Sequence, residues 1–195
     1  MAKKANKLPL IVDAAIIRFK EKGFEHTSVS DIVKQAGVAQ GTFYLYFKSK
    51  NELVPAIAER ILTTLFESIQ ENVDDYASTI EILTVVVDET FAITDQYDEL
   101  IKLCYSGLAY YHTYERWEEM YAPYYSWIES QLKKGIDEGG IQSKIELSSL
   151  TKMIINLIES TAESYFFGNQ QTTSVREVKQ QLLLFISSSL TDNQS

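Results

Sequence analysis

The sequence predicts an all-α protein, and three observations support that fold class. Apolar residues recur at three- and four-residue spacing over long stretches, which is the period of a helix face and not the alternation of a strand. Helix breakers are few, with three Pro and eight Gly among 195 residues. The composition, 45% hydrophobic and 23% charged, is that of an ordinary globular chain long enough to form one or two domains.

Three helices are predicted in the first fifty residues. The first is expected to end at Gly23 and to carry its apolar face on Leu8, Ile11, Val12, Ala15 and Phe19. Ser28 followed by Asp31 three residues later predicts the capped start of a second helix, which Gly37 ends. The third helix is expected to begin near residue 39 or 40.

The third helix has an aromatic inner side and a different outer side. At about 100° per residue, Phe43 and Phe47 lie together and are predicted to anchor the helix in the core. Gly41, Thr42 and Leu45 then face away from the core. Glycine allows close approach of the backbone, Thr can hydrogen-bond, and Leu can contact a thymine methyl. The pattern is that of a helix-turn-helix that places its second helix in a DNA groove.

Side chains suited to phosphate oxygens flank this helix. Tyr44, Lys48 and Lys50 are predicted to grip the DNA backbone, which fixes position without reading bases. For Tyr44 and Tyr46, packing against a neighbouring helix is the alternative explanation.

Charge is distributed unevenly along the chain. The net charge is -9, yet residues 1–50 hold nine Lys or Arg against four acids, a balance of +5. The remainder holds nine basic and 23 acidic residues, a balance of -14. A basic segment attached to an acidic one indicates a nucleic-acid-binding domain joined to a domain with another task.

Five segments of this region closely resemble the DNA-binding domain of TetR-family transcriptional regulators. They are Gly23-Phe24, residues 27–33, Ala36-Gly37-Val38, Gly41-Thr42-Phe43-Tyr44 and residues 46–53. The sequence differs from the common pattern at Ala39, where a capping residue is frequent, at Gln40, where a basic residue is frequent, and at Leu45, which is less polar than usual. The resemblance covers about residues 7–54.

The resemblance implies a DNA-binding set and a homodimer on a double-stranded operator. The expected DNA contacts are Ser28, Gln40, Gly41, Thr42, Tyr44, Leu45, Tyr46, Lys48 and Lys50. It also implies that the last two helices pair with those of a second copy through Ile154, Leu157, Ile158, Ala162, Tyr165, Leu182, Leu183 and Ile186. Periodicity alone shows only that these apolar faces are buried somewhere.

Six more helices are predicted after residue 48, for nine in total. Ser49 and Glu52 predict a capping box for a fourth helix to about Asp75, and amphipathic stretches follow at about 79–95, 98–114, 116–138, 148–167 and 175–190. The expected domains are therefore a DNA-binding domain at 1–50 and a ligand-binding and dimerisation domain at 51–195.

An aromatic segment in the acidic part is the predicted effector site. It contains Tyr105, Tyr110, Tyr111, Tyr114, Trp117, Tyr121, Tyr124 and Trp127, interleaved with Glu115, Glu118 and Glu119. Aromatic faces beside carboxylates suit a lipophilic cation. The alternative is that many of these rings simply fill a helix core.

Other sites and activities find little support. The single Cys104 excludes an internal disulfide and is expected to be a small core residue. His26 and His112 are far apart and no Cys/His cluster has metal spacing, so neither metal nor cofactor is expected. Two Ser-x-x-Lys matches, at Ser130 and Ser149, lack the partner motifs of an enzyme. No run of about eighteen apolar residues predicts a membrane span, and a cytoplasmic location is expected.

The sequence therefore predicts a dimeric repressor that a small lipophilic ligand releases from a palindromic operator. Two alternatives remain open. One is a DNA-binding regulator controlled by a protein partner, and the other is a helical small-molecule-binding protein in which the helix-turn-helix is only structural.

Overall fold

The computed structural model describes residues 6–111, 114–168 and 172–191, without the side chains of residues 106–114. These residues form helices and loops and contain no strand, which confirms the all-α class. In chain order the helices are α1 (Leu8–Lys22), α2 (Val29–Ala36), α3 (Gln40–Phe43), a 3-10 helix (Lys50–Glu52), α4 (Leu53–Asn72), α5 (Thr79–Tyr111), α6 (Tyr114–Asp137), α7 (Leu147–Phe167) and α8 (Val175–Ser189).

The predicted count of nine helices was approximate, because two of the predicted helices are parts of one continuous helix in the structure. The stretch at 79–95 and the stretch from 98 as far as Tyr111 belong to α5, whose backbone leaves helical geometry at Tyr97, with φ -120° and ψ 19°. The described residues thus contain eight α-helices and one 3-10 helix.

Two compact units are found in the chain. The first runs to Leu62 and includes Glu99–Arg116, and the second consists of Thr63–Asp98 and Trp117–Ser195. The helices α4, α5 and α6 therefore contribute a segment to each unit. The domain boundary expected after residue 50 falls within the first unit.

In the first unit, α1 packs against α2 and α2 packs against α3. The α1 core positions Ile11, Ala15 and Phe19 are at most 4% exposed. The predicted cap of α2 is present: Ser28 and Asp31 form a reciprocal capping box. Gly37 ends α2 with φ 65°, a left-handed conformation that glycine adopts without a steric penalty.

The predicted start of the fourth helix is wrong. Ser49 makes no side-chain capping bond, and the Glu52 carboxylate instead accepts the backbone N–H of Lys48 at 2.7 Å. The chain makes a 3-10 turn first, and α4 begins at Leu53. Pro55 therefore lies in the first turn of α4, where its missing N–H breaks no helical hydrogen bond.

The second unit is built around apolar residues of its α4 to α8 segments. Val86, Val87 and Phe91 of α5 are at most 1% exposed, as are Ile128 and Leu132 of α6. The last two helices, α7 and α8, pack against each other. Within the described ranges, no helix is both long and apolar enough to cross a membrane.

Candidate DNA-binding surface and effector-binding region

Two buried phenylalanines anchor the segment that follows α2. Phe43 is 0% exposed and Phe47 is 7% exposed, and their ring centroids lie 5.6 Å apart. The helix α3 is shorter than predicted: it ends at Phe43, and the chain continues as a turn. In that turn the N–H groups of Tyr46 and Phe47 both donate to the Phe43 carbonyl at 3.0 Å. Both rings still point inward, as predicted.

The opposite side of this segment is open to solvent. Leu45 is 72% exposed and Tyr44 is 52% exposed. Gln40 and Gly41 are exposed and Thr42 is half-buried. A Cβ added at Gly41 would meet no atom within 4 Å, so no contact inside the protein requires glycine there. Close approach of the helix backbone to a DNA groove would require glycine at this position.

Ser28 lies at the start of α2 and caps it. Its hydroxyl donates to Asp31 Oδ2 at 2.6 Å and accepts the Asp31 N–H at 3.1 Å. The hydrogen bonds from the Ser28 side chain and backbone lower the pKa of Asp31 to about 2, with help from Lys22. The Ser28 hydroxyl is thus committed to the cap, and its DNA contact stays a prediction.

The two lysines after α3 differ in their surroundings. Lys48 is exposed and its side chain is available to a phosphate. Lys50 Nζ instead donates to the backbone carbonyls of Phe24 at 2.5 Å and Thr27 at 3.0 Å. The Lys50 ammonium group is thus coordinated by backbone carbonyls of the protein, and its phosphate contact stays a prediction.

Tyr46 accepts a hydrogen bond within the first unit. Its phenol oxygen accepts the backbone N–H of Lys7 at 3.1 Å, and the side chain is 38% exposed. Tyr46 thereby ties the start of α1 to the turn after α3. A DNA contact from Tyr46 remains a prediction.

The aromatic residues of α6 separate into core and half-buried groups. Tyr124 is 2% exposed and packs on Phe66 with ring centroids 5.6 Å apart. Burial raises its pKa well above the ordinary value, with a further contribution from Glu159. Trp127 is half-buried, and its ring centroid lies 5.9 Å from that of Phe66. Tyr124 is therefore a core residue.

A row of three rings follows one side of α6. The ring centroids of Trp117 and Tyr121 lie 5.9 Å apart, and those of Tyr121 and Tyr125 lie 5.2 Å apart. The Tyr121 hydroxyl donates to the carboxyl group of Glu159 on α7, at 3.2 and 3.3 Å from its two oxygens. Desolvation raises the pKa of Glu159 to about 8, opposed by the Tyr121 hydrogen bond and reinforced by Glu163. Sequence reasoning missed Glu159 because an isolated Glu on a helix resembles any surface acid.

An ion pair lies beside this row. Lys152 Nζ of α7 contacts Glu118 Oε2 of α6 at 2.5 Å and lies 5.3 Å from the Tyr125 ring centroid. Glu118 and Tyr125 also line a surface groove of about 470 Å³. The rest of its lining consists of Ala122, Ser126, Glu129, Ser130, Lys133 and Leu147. Trp117, Tyr121, Tyr124 and Trp127 do not line this groove.

The remaining predicted effector residues belong to the first unit. Tyr105 is 55% exposed. The side chains of Tyr110, Tyr111 and Tyr114 lie outside the described residues, as does His112. Cys104 is buried as expected, and burial raises the pKa of its thiol to about 12. In the part of the chain that the structure describes, no group of three or more His, Cys, Asp or Glu side chains could hold a metal ion.

Comparison with known protein families decides the identity of the fold. The family described as bacterial regulatory proteins, tetR family, matches residues 11–57. The family described as Tetracyclin repressor-like, C-terminal domain, matches residues 83–190, more than half of the chain. The chain belongs to the TetR family. It is therefore a DNA-binding transcriptional regulator of the ligand-responsive repressor type.

Relatives support the TetR assignment along nearly the whole chain. The HTH-type transcriptional regulator YvdT of Bacillus subtilis is 44% identical over 186 residues, which cover 95% of this chain and 96% of YvdT. The fatty acid metabolism regulator protein of Bacillus subtilis is 28% identical over 88% of this chain and 89% of its own length. Both relatives are named as regulators.

Solved structures of other TetR regulators have the same fold. FadR from Bacillus subtilis in complex with stearoyl-CoA superposes with a TM-score of 0.71 at 26% identity, over 93% of this chain and 98% of FadR. FadR from Thermus thermophilus in complex with lauroyl-CoA gives a TM-score of 0.70 at 18% identity, over 96% of this chain and 97% of that chain.

The dimer residues expected from the TetR resemblance differ in their exposure within a single chain. Five of the eight are at most 6% exposed within a single chain: Ile154, Ile158, Ala162, Leu182 and Ile186. Leu157, Tyr165 and Leu183 are half-buried. Those five side chains pack inside the single chain and offer little surface to a second copy, and their place in a dimer interface stays a prediction.

A different face of α7 and α8 is apolar and exposed. Met153 of α7 is 59% exposed, and Leu184 and Phe185 of α8 are 67% and 64% exposed. Periodicity indicated apolar faces on these helices, and the burial of each residue separates those that pack inside the chain from Met153, Leu184 and Phe185, which do not.

Proposed function

We propose that this TetR-family regulator is a repressor that binds a palindromic operator as a homodimer and is released by a small lipophilic effector. The observation that carries the proposal is the exposed surface of Gly41, Tyr44, Leu45 and Lys48 over the buried Phe43 and Phe47. A segment that contacts bases in a DNA groove needs exposed residues on its outer side and buried residues that hold it against the core. Residues 1–50 are assigned to DNA binding and residues 51–195 to dimerisation and effector binding, with no catalytic step and a cytoplasmic location.

The proposed surface divides into base-reading and phosphate-binding residues. Gly41, Thr42 and Leu45 are proposed to face base edges, since they offer close approach, a hydroxyl and an apolar side chain. Tyr44 and Lys48 are proposed to contact phosphates. Gln40, Tyr46 and Ser28 are proposed to contact DNA at the edge of this surface, and Ser28 also positions α2 through its cap.

The homodimer is proposed to form through the exposed face of α7 and α8. Met153, Leu184 and Phe185 would be covered by the same residues of a second copy in a two-fold interface. A two-fold dimer presents two reading surfaces to half-sites separated by whole turns of DNA.

A gel-shift experiment with the DNA upstream of the chain's own gene tests the DNA-binding function. The purified protein is expected to shift this duplex, with an affinity that falls as salt rises. No binding at low salt would eliminate both regulator hypotheses and leave the helical small-molecule-binding protein. Binding that no small molecule relieves would instead support control by a protein partner.

The proposed effector is a fatty acyl-CoA. This class is supported by likeness to the fatty acid metabolism regulator protein and to FadR in complex with stearoyl-CoA, at 28% and 26% identity. Phe91, Ile128 and Ile155 belong to the apolar interior of the second unit, which an acyl chain would enter only if packed side chains moved apart.

One observation favours a second effector class, a lipophilic cation. Glu159 presents a desolvated carboxyl group that accepts a hydrogen bond from Tyr121, the middle ring of the row formed with Trp117 and Tyr125. A cation would gain both the charge of an ionised Glu159 and the negative faces of these rings.

The two effector classes are separated by release of the bound duplex. Lauroyl- and stearoyl-CoA are compared with free CoA, the free fatty acids and a panel of lipophilic quaternary ammonium compounds, and thermal shift is measured in parallel. Release by acyl-CoA alone supports the first class. Release by the cations, lost in Glu159→Gln, supports the second.

A further inference from the structure

One lysine joins the two ends of the helix-turn-helix. The chain approaches α2 through residues 23–28, here called the α1–α2 loop, and leaves the motif through the 3-10 helix Lys50–Glu52. Lys50 Nζ donates to the carbonyl oxygens of Phe24 at 2.5 Å, Thr27 at 3.0 Å and Glu25 at 3.4 Å. It also lies 4.3 Å from the centroid of the Phe24 ring.

These contacts match the full capacity of an ammonium group. Lysine has three N–H donors and no acceptor, and three carbonyl oxygens lie within hydrogen-bonding range of it. The Phe24 ring adds the attraction of a cation to an aromatic face. A phosphate oxygen would have to displace these partners to bind Lys50. The exposed Lys48, two residues earlier, faces no such competition.

The loop that Lys50 holds leads directly into the DNA-binding helices. Thr27 is 2% exposed, and its hydroxyl donates to the Gly23 carbonyl at 2.8 Å. The next residue, Ser28, is the N-cap of α2. Phe24 in turn packs edge-on against Phe19 of α1, with ring centroids 5.0 Å apart. Lys50 therefore links the segment after Lys48 to the start of α2 and to the core of α1.

We propose that Lys50 is a positioning residue for DNA binding. It closes the helix-turn-helix into a loop whose two ends are held together, and so fixes the spacing between α2 and the turn that carries Tyr44 and Lys48. It contributes to affinity through this geometry and not through a phosphate contact. The inference rests on the DNA-binding function proposed above.

The test compares Lys50→Met with Lys48→Met in the full-length protein. Methionine keeps most of the side-chain volume and removes the ammonium group. The affinity for the duplex found by gel shift is measured at several salt concentrations. Lys50→Met is expected to weaken binding about tenfold with the slope of log K against log salt unchanged, whereas Lys48→Met lowers the slope by about one per protomer.

A second variant keeps the test decisive if Lys50→Met does not fold. Phe24→Leu removes the ring under the ammonium group without removing a charge. It is expected to weaken DNA binding at an unchanged salt slope, and to be non-additive with Lys50→Met where both fold. Arg60→Ala, which removes the Arg60 to Asp13 ion pair in the same unit, is the control for general destabilisation and is expected to retain affinity.

Three results would overturn the proposal: a salt slope that falls in Lys50→Met as it does in Lys48→Met, an unchanged affinity in Lys50→Met, or an unchanged affinity in Phe24→Leu. A wild-type protein that binds no duplex would instead refute the proposed function itself. The two failures are therefore distinguishable.

Discussion

The α2 to α3 surface of the first unit and the α6 to α7 region of the second unit differ in how well the sequence predicts the exposure of their side chains. In the first, Phe43 and Phe47 are buried and Tyr44 and Leu45 are exposed, as their helical positions predict. In the second, Tyr124 and Ile158 were assigned to an effector site and a dimer interface, and they are 2% and 1% exposed core residues.

The difference follows from what each function demands of its side chains. A DNA-reading surface stays open until DNA binds, so its residues stand apart from the core by charge and exposure. An effector pocket and a dimer interface use the same apolar residue types as the core. Five predictions test this contrast, from the largest expected effect to the smallest.

Replacing Ile158 by Ala tests whether the predicted interface is core. We expect the free energy of unfolding to fall by about 2–5 kcal/mol, because a buried Ile leaves a cavity that the surrounding residues fill only in part. Urea denaturation at fixed protein concentration measures the change. Ile145→Ala, at a position that is 47% exposed, is the control and should cost less than about 1 kcal/mol. Equal small losses at both sites would contradict the burial of Ile158.

Replacing Phe185 by Glu tests the other face of the same helices. A carboxylate placed in a two-fold apolar contact meets its own copy, so we expect a monomer with an intact fold. Sedimentation velocity and circular dichroism report the two properties. Tyr76→Glu makes a comparable change at a loop position that is 95% exposed and should leave the association state unchanged. A Phe185→Glu protein that stays dimeric would place the interface elsewhere.

The raised pKa of Glu159 predicts that the stability of the second unit depends on pH. Its pKa rises from an ordinary 4.5 to about 8 in the folded chain, so between these values the folded state keeps a proton that the unfolded state has lost. Its contribution to stability therefore falls as pH rises through this window, by at most about 1.4 kcal/mol per pH unit, and is constant outside it. Glu159→Gln should remove this component. Urea midpoints from pH 4 to 9 for both proteins measure it, and parallel curves would refute the shift.

Replacing Lys48 by Ala tests the phosphate contact. We expect DNA affinity to fall about tenfold near 0.1 M salt, with the salt slope lowered by about one per protomer. Lys144→Ala, which removes an exposed lysine of the second unit, is the matched control. An unchanged slope in the Lys48 variant would show that this side chain does not touch a phosphate.

Gly41→Ala separates stability from DNA binding. Because a Cβ at this position meets nothing within 4 Å and Ala favours helix, the fold should gain up to about 1 kcal/mol. The same Cβ should weaken DNA binding if the α3 backbone lies against the groove. Thermal unfolding and gel shift measure the two effects, and full retention of affinity would remove Gly41 from the reading surface.

Helix ends that depend on neighbouring residues were mostly predicted correctly from the sequence, whereas the partners of side chains distant in sequence were not. The capping box of Ser28 and Asp31 and the end of α2 at Gly37 depend on residues at most a few positions apart. The analogous box at Ser49 failed because Glu52 bonds the Lys48 N–H instead, within a 3-10 turn. Lys50 was assigned to phosphate because its partners, Phe24 and Thr27, lie more than twenty residues away in sequence.

By itself, the sequence determined the all-α class, the helix-turn-helix, its inward Phe43 and Phe47, and the contrast between a basic first segment and an acidic remainder. These follow from helical periodicity, caps and charge, which act over a few residues. Only the tertiary structure decided which stripe of α7 and α8 is core and which stays exposed at Met153 and Phe185. It also decided that Glu159 is desolvated and that Lys50 binds the α1–α2 loop. Burial and the partners of long side chains depend on which elements pack together, and periodicity does not contain that information.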